Sequence, residues 1–322
     1  MISLGIESTA HTFSVGIIND SGIVLANISR MYRPKKGGII PREAMNHHTE
    51  VAKEVLQTAL EKAKLKINDI DIISFSAGPG LPPCLRVGSV LARSLSLRYD
   101  KTLIPVNHAI AHIEIAKQAT QLDDPIILYV SGGNTQVLGK ISGRYRTFGE
   151  AIDIPIGNCL DQFARALGIP HPGGPIIEKL AKSGNYIELP YVVKGMDVSF
   201  SGILTSCKDK FKSGSPKKDL CFSLQETCFA MLTEVCERAL AHTEKSQLVL
   251  TGGVAANTRL QQMLKTMCEE RDAKFDVVPK ELSGDCGAMI AWTGLLMHKA
   301  GLTSLDTKIN RYWRADDVEI IW

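Results

Sequence analysis

One arrangement, strand then small polar tip then strand, occurs twice in this chain, and that repetition limits what it can fold into. Residues 2–28 read as the alternating apolar runs ISLGI, FSVGIIN and IVLANI, broken by ESTAHT and by the tight turn DSG. The same order returns over residues 126–150 as IILYV, SGGNT, QVLGKI, SGR and YRTFGE. A period of two marks strands, and polar breaks containing glycine mark hairpin turns. Each copy is therefore a hairpin continued into a third strand. The first presents Glu7, Ser8, Thr9 and His11 at its tip.

After the first hairpin the pattern predicts a helix over about 46–65, the strand DIISFSA, a helix over 83–99, the strand TLIPV and a helix that begins in NHAIAHIEI. After the second it predicts helices near 156–167 and 219–243, the strand QLVLTG, a helix from 255, the strand KFDVV and a helix over 284–299. Such an order belongs to the α/β class: two similar lobes, each a mixed sheet flanked by helices. With 322 residues, 44% of them hydrophobic, the chain can fill two cores. The expected division is 1–122 and 123–322, with the C-terminal tail free to pack back on the first lobe. No long linker or low-complexity tract intervenes, so the lobes are expected to enclose one cleft. Apolar positions 224, 228, 231, 232, 235 and 239 in LCFSLQETCFAMLTEVCERALAH keep helical spacing, which makes that segment a core helix with cysteines and Met231 as pliable fillers.

Composition removes several classes. No run of 18 uncharged apolar residues and no basic-then-apolar leader occurs, so the expectation is a cytoplasmic protein with no membrane partner. The eight cysteines form no CxxC pair, which argues for reduced thiols rather than a zinc ribbon or a disulfide framework. A net charge of +3 permits nucleic acid without demanding it. The basic stretches RPKKGG (33–38) and KSGSPKK (212–218) read as solvated loops.

The tip SGGNT and the GGVAAN of LVLTGGVAANTRL bring backbone amides close to an anion and suit phosphate or nucleotide, although either alone could be a plain turn. Neither GxxxxGK[ST] nor a GxGxxG after a strand is present, which disfavours P-loop and Rossmann sites. Paired hairpins with a strand, two glycines and a helix in the second lobe resemble the actin, sugar kinase and heat-shock chaperone (ASKHA) superfamily. His108 and His112, four apart on a helix, could reach one metal, with surface or capping histidines as the plainer reading. Asp285 in LSGDCGAMIAW is the best third ligand; its plainer reading is a helix N-cap.

GIESTAHTFSVGI, GPGL with LRVG, NHAIAHIEI, LYVSGGNTQV, GNCLDQFARALG, MDVSFSGIL, TGGVAANTRLQQML and DCGAMIAWTG follow one another along nearly the whole chain. They resemble the archaeal and eukaryotic branch of the tRNA N6-adenosine threonylcarbamoyltransferases, a family formerly labelled O-sialoglycoprotein endopeptidase. The resemblance implies the catalytic subunit of the KEOPS complex. Such a subunit moves a threonylcarbamoyl group from threonylcarbamoyl-AMP to N6 of the adenosine 3′ to the anticodon, in tRNAs reading codons that begin with A. By motif it implies metal ligands His108, His112 and Asp285, with Tyr129 a weaker contact, and one divalent iron or zinc per subunit. It also implies an adenine nucleotide held by Tyr129, Val130, Ser131, Gly132, Gly133, Asp161, Gly174, Glu178 and Asn257. The implied partners are tRNA, a separate kinase-like ATPase subunit and small accessory subunits. Cys286 stands where the family usually has Asn, and Pro82 where it usually has Gly.

On this reading an ion would act as Lewis acid and template, and the amides of the SGGNT tip would steady the leaving phosphate. The poorly nucleophilic exocyclic amine must lose a proton as it attacks, and His11 is the candidate base, equally well read as a turn residue. Other readings are an ATPase or kinase of the same fold, a metalloprotease and a nucleotide-binding scaffold. The protease lacks its usual base, because Ala109 rather than Glu follows His108.

Overall fold

The computed structural model describes residues 1–34, 38–302 and 307–322, so the RPKKGG stretch lies partly outside the described residues. Strands β1 (Ile2–Glu7), β2 (Thr12–Asn19) and β3 (Val24–Met31) form the first antiparallel meander. Helix α1 (Pro41–Ala63), β4 (Ile72–Gly78), α2 (Pro82–Tyr99), β5 (Thr102–Asn107) and α3 (His108–Thr120) follow. The sheet order is β3-β2-β1-β4-β5, with β4 parallel to β1 and β5 parallel to β4. Every residue of β4 is buried, as expected for a parallel strand covered on both faces. Helix α1 starts earlier than its apolar spacing suggests because Pro41, lacking an amide proton, fits a first turn; Pro82 opens α2 in the same way.

The second meander is β6 (Ile126–Val130), β7 (Thr135–Ile141) and β8 (Arg144–Glu150). After it come α4 (Ile156–Ala166), α5 (Gly174–Ala181), the short pair β9 (Val193–Lys194) and β10 (Asp197–Val198), α6 (Ser201–Lys212) and α7 (Lys217–Thr243). Strand β11 (Gln247–Thr251), α8 (Thr258–Glu270), β12 (Lys274–Val277), α9 (Lys280–Ser283) and α10 (Gly287–Lys299) complete the order. This sheet runs β12-β11-β6-β7-β8, the same order as the first one read from the other edge. Helix α7 is a core helix: Cys221, Cys228, Met231 and Cys236 are fully buried, and all eight cysteines are buried free thiols.

Compact packing divides the chain differently from a cut at residue 122. The first unit contains 1–118, 142–145 and 284–322, and the second contains 119–141 and 146–283. All of α10, not only a tail, belongs with β1–β5. It lies across β1, β2, β4 and β5, closest to the backbone of β1 and β2, and a Cβ on Gly287 would sit 2.0 Å from the Gly16 nitrogen. Its helix begins at Gly287, three residues later than its apolar run suggests. Among the described residues no helix is long and apolar enough to cross a membrane.

Candidate metal centre and glycine loops

In the first unit, β5 ends on Asn107 and α3 begins with His108. The Asn107 Oδ1 accepts the amides of Ala109 (3.0 Å) and Ile110 (3.2 Å), an N-cap that starts the helix at this residue. One turn later His112 lies on the same face, its ring centroid 4.7 Å from that of His108 and nearly perpendicular to it. Asp285 is not the N-cap of α10, because Cys286 holds that position in extended conformation. Its carboxylate turns to the histidines instead, with Oδ1 3.3 Å from His112 Nε2 and 3.6 Å from His108 Nε2. One ligand atom from each of the three lies within 4.8 Å of the others.

Glu7, the last residue of β1, stands behind His108. Its Oε2 is 3.0 Å from His108 Nδ1, and its Oε1 accepts the Thr9 amide (2.6 Å) and hydroxyl (2.5 Å). A carboxylate on Nδ1 fixes the ring so that Nε2 faces Asp285, the usual support for a metal-bound imidazole. Burial alone would push the His108 imidazole down, but the Glu7 carboxylate outweighs it and, with Asp285, raises it to about 9. His112 is pushed down by burial. Burial would raise the Asp285 carboxyl, but the His112 hydrogen bond and the charge on His108 hold it well below the usual range. The site thus calls for positive charge beside two carboxylates, and two imidazoles with one carboxylate are a donor set suited to a divalent transition metal. The tip is also tied from outside. His48 of α1 bonds the Ala10 carbonyl through Nε2 (3.1 Å), and burial pushes its imidazole down to about 4. His11 is half-buried, and its carbonyl accepts the Tyr32 amide at 2.8 Å.

The second unit carries the remaining residues. Tyr129 and Val130 are buried at the end of β6. Ser131 Oγ accepts the amides of Gly133 (3.2 Å) and Asn134 (2.9 Å), closing the turn on itself. Gly132 and Gly133 are exposed, with open space where a Cβ would be. Beside them β11, parallel to β6, is followed by Gly252, whose φ of +96° and whose approach to the Val130 carbonyl (2.3 Å from a Cβ) both require glycine. The strand order reverses between β6 and β11, where open α/β sheets take ligands at their carboxyl ends. Asn257 caps α8, accepting from Arg259 (2.9 Å) and Leu260 (3.3 Å), and Glu178 accepts the Thr258 amide (2.9 Å) and hydroxyl (2.5 Å). Asp161 accepts the Gly173 amide (2.7 Å) and approaches His171 Nδ1 (3.1 Å), next to Gly174 at the start of α5. The structure therefore groups Glu178 with Asn257, and Asp161 with Gly174. Both carboxylates already hold backbone amides.

Sequence reading placed Glu7 at the tip without giving it a role. The one available signal was a charged residue ending an otherwise apolar strand. Asn107 carried only the signal of an Asn placed just before a helix, and the carbonyls that its Nδ2 reaches lie about two hundred residues away.

Residues 23–292 match the family described as TsaD, tRNA N6-adenosine threonylcarbamoyltransferase. The chain belongs to this family. The tRNA N6-adenosine threonylcarbamoyltransferase of Thermofilum pendens is 53% identical over 323 residues, covering 99% of this chain and 96% of that protein. A probable bifunctional tRNA threonylcarbamoyladenosine biosynthesis protein of Methanocaldococcus jannaschii is 55% identical over 325 residues; this chain spans 60% of its length. Family membership makes the chain an enzyme that forms threonylcarbamoyladenosine by threonylcarbamoyl transfer to a tRNA adenosine. The fold is of the ASKHA type. An activator of 2-hydroxyisocaproyl-CoA dehydratase from Clostridium difficile, solved with bound ADPNP, superposes with a TM-score of 0.56 at 11% identity over 95% of this chain and 98% of that one.

Proposed function

We propose that the donor is threonylcarbamoyl-AMP and the acceptor is N6 of the adenosine 3′ to the anticodon, in tRNAs reading codons that begin with A, with AMP released. The observation that carries this reading is the buried His108–His112–Asp285 set, all within 4.8 Å, in a chain of this family. The three residues hold one divalent ion, iron or zinc, which when bound supplies a Lewis acid and a template for donor oxygens. Glu7 keeps His108 Nε2 turned toward that position. The adenylate belongs to the second unit, where Tyr129 and Val130 end β6 and Ser131, Gly132 and Gly133 form the tip after it, and where Asp161, Gly174, Glu178 and Asn257 supply acceptors and helix starts. The mixed anhydride is already activated, so the enzyme needs no energy source of its own. His11 at the first tip takes the N6 proton as the amine attacks. A separate kinase-like ATPase and small accessory subunits of KEOPS share the tRNA with this chain.

The test is a transfer assay with the partner subunits, unmodified tRNA and fresh threonylcarbamoyl-AMP, read by nucleoside mass spectrometry. Modified adenosine is expected with the wild type and none with His108→Ala. Equal product from both, or none from either while both are folded and bind nucleotide, would overturn the assignment.

A further inference from the structure

Asn107 is 2% exposed, and both ends of its amide are committed to backbone. Its Oδ1 caps α3, the helix that begins with His108, and its Nδ2 donates to the carbonyls of Trp313 (3.0 Å) and Arg314 (3.4 Å). The segment bearing those carbonyls is fastened at several other points in the first unit. The Asn310 amide donates to Ala77 (2.7 Å), Gly80 donates to Arg311 (3.4 Å), and Ile309 and Trp313 pack on the core under β1 and β4. Gly78 passes so close that a Cβ there would lie 1.8 Å from the Asn310 carbonyl oxygen. The loop after Gly78 in turn reaches the first tip, since Leu81 donates to the Thr9 carbonyl at 2.7 Å. Thr9 holds one oxygen of Glu7, whose other oxygen faces His108 Nδ1. The strap over 307–314 is thus connected to His108 by two routes, through the helix start and through the tip.

We propose that Asn107 is a positioning residue that transmits the placement of this C-terminal strap to the first turn of α3, and so sets where His108 presents Nε2. The inference rests on the metal reading of His108, His112 and Asp285. Asn107→Asp separates the two ends of the amide. A carboxylate remains a good N-cap, but it places oxygen against the two strap carbonyls. The variant also adds negative charge near the ion, which by itself would tighten binding, so a loss of affinity reports on geometry rather than on charge.

The experiment titrates Co2+ into metal-free full-length wild type, Asn107→Asp, Asn107→Ser, Trp313→Ala and His108→Ala. Affinity and the visible absorption of the bound ion are read at a temperature where circular dichroism shows each protein folded. We expect about ten-fold weaker binding and an altered spectrum for Asn107→Asp and Trp313→Ala, the scale found for groups that support a metal ligand. Asn107→Ser is the milder change should Asn107→Asp not fold, and it is expected to move both readings in the same direction. Wild-type affinity and spectrum in the Asn107 variants, with a lower melting temperature alone, would make the residue merely structural and overturn the inference. Binding by His108→Ala equal to that of the wild type would instead bring down the metal reading itself.

Discussion

The two hairpin tips occupy the same place in sheets of the same strand order, and their surroundings are opposite. At the first, Glu7, Ser8 and Thr9 are at most 2% exposed; at the second, Gly132 and Gly133 are exposed and present no side chains. In both units the central strand ends where the strand order reverses, between β1 and β4 or between β6 and β11. At the first tip, α3 and the segment leading into α10 bring His108, His112 and Asp285 to the strand end, so a buried carboxylate there has a partner. At the second, bare glycines leave the chain open to approach. A duplicated fold therefore fixes where ligands can gather, while a few side chains decide whether that place becomes a polar core or an open cradle.

The contrast can be broken most directly at the glycines. Gly287→Ala drives a Cβ into the backbone of β2 and should cost about 3 kcal/mol or more in urea unfolding, as overpacking does. Gly132→Ala meets nothing within 4 Å and should stay within about 0.5 kcal/mol of wild type. Equal costs would mean that close packing of α10 does not shape the first tip. Next in size is Glu7→Ala. It removes the group that orients His108, and zinc affinity measured against a chromophoric chelator should fall about 10- to 100-fold, with Glu7→Gln, which can still accept from Nδ1, falling less. The smallest effect concerns pH. The folded His48 titrates near 4, below the ordinary 6.5, so on acidification the unfolded chain takes up the proton first. The stability tied to His48 is complete above about pH 6.5 and declines as the pH falls toward 4. Between pH 7 and 5.5 that loss is about 1 kcal/mol, and His48→Gln should remove it from the urea-unfolding profile. An unchanged profile would separate His48 from the first tip's stability.

Much of this was legible from residues alone because it rests on local periodicity. The two meanders, the strands of both sheets and the long helix α7 follow from alternation and apolar spacing. Helices α5 and α6 were not foreseen: α5 is a single short segment beginning Gly-Pro, and α6 buries only Ile203, Leu204 and Cys207. Near α8, GVAA folds as a short 3-10 turn and Asn257 then caps the helix, three residues later than apolar spacing suggests. The histidine pair could be read because it lies within one turn. Asp285, 173 residues from His112, could be nominated only as an acid at the mouth of an apolar helix and by resemblance. The support that Glu7, Thr9, His48 and the strap give the site depends on contacts between distant segments, for which a single sequence carries no periodic trace.

The return of residues 284–322 to the first unit also orders events during synthesis. Residues 146–283, the bulk of the second unit, are synthesised before Asp285, whereas the first unit waits for α10 and the strap. Domains generally fold as units during translation, N-terminal ones first. Here the part encoded first is completed last. A nascent chain therefore carries His108 and His112 without their carboxylate partner until Asp285 has been made, and the candidate donor set can assemble only after the strands of both units have been synthesised.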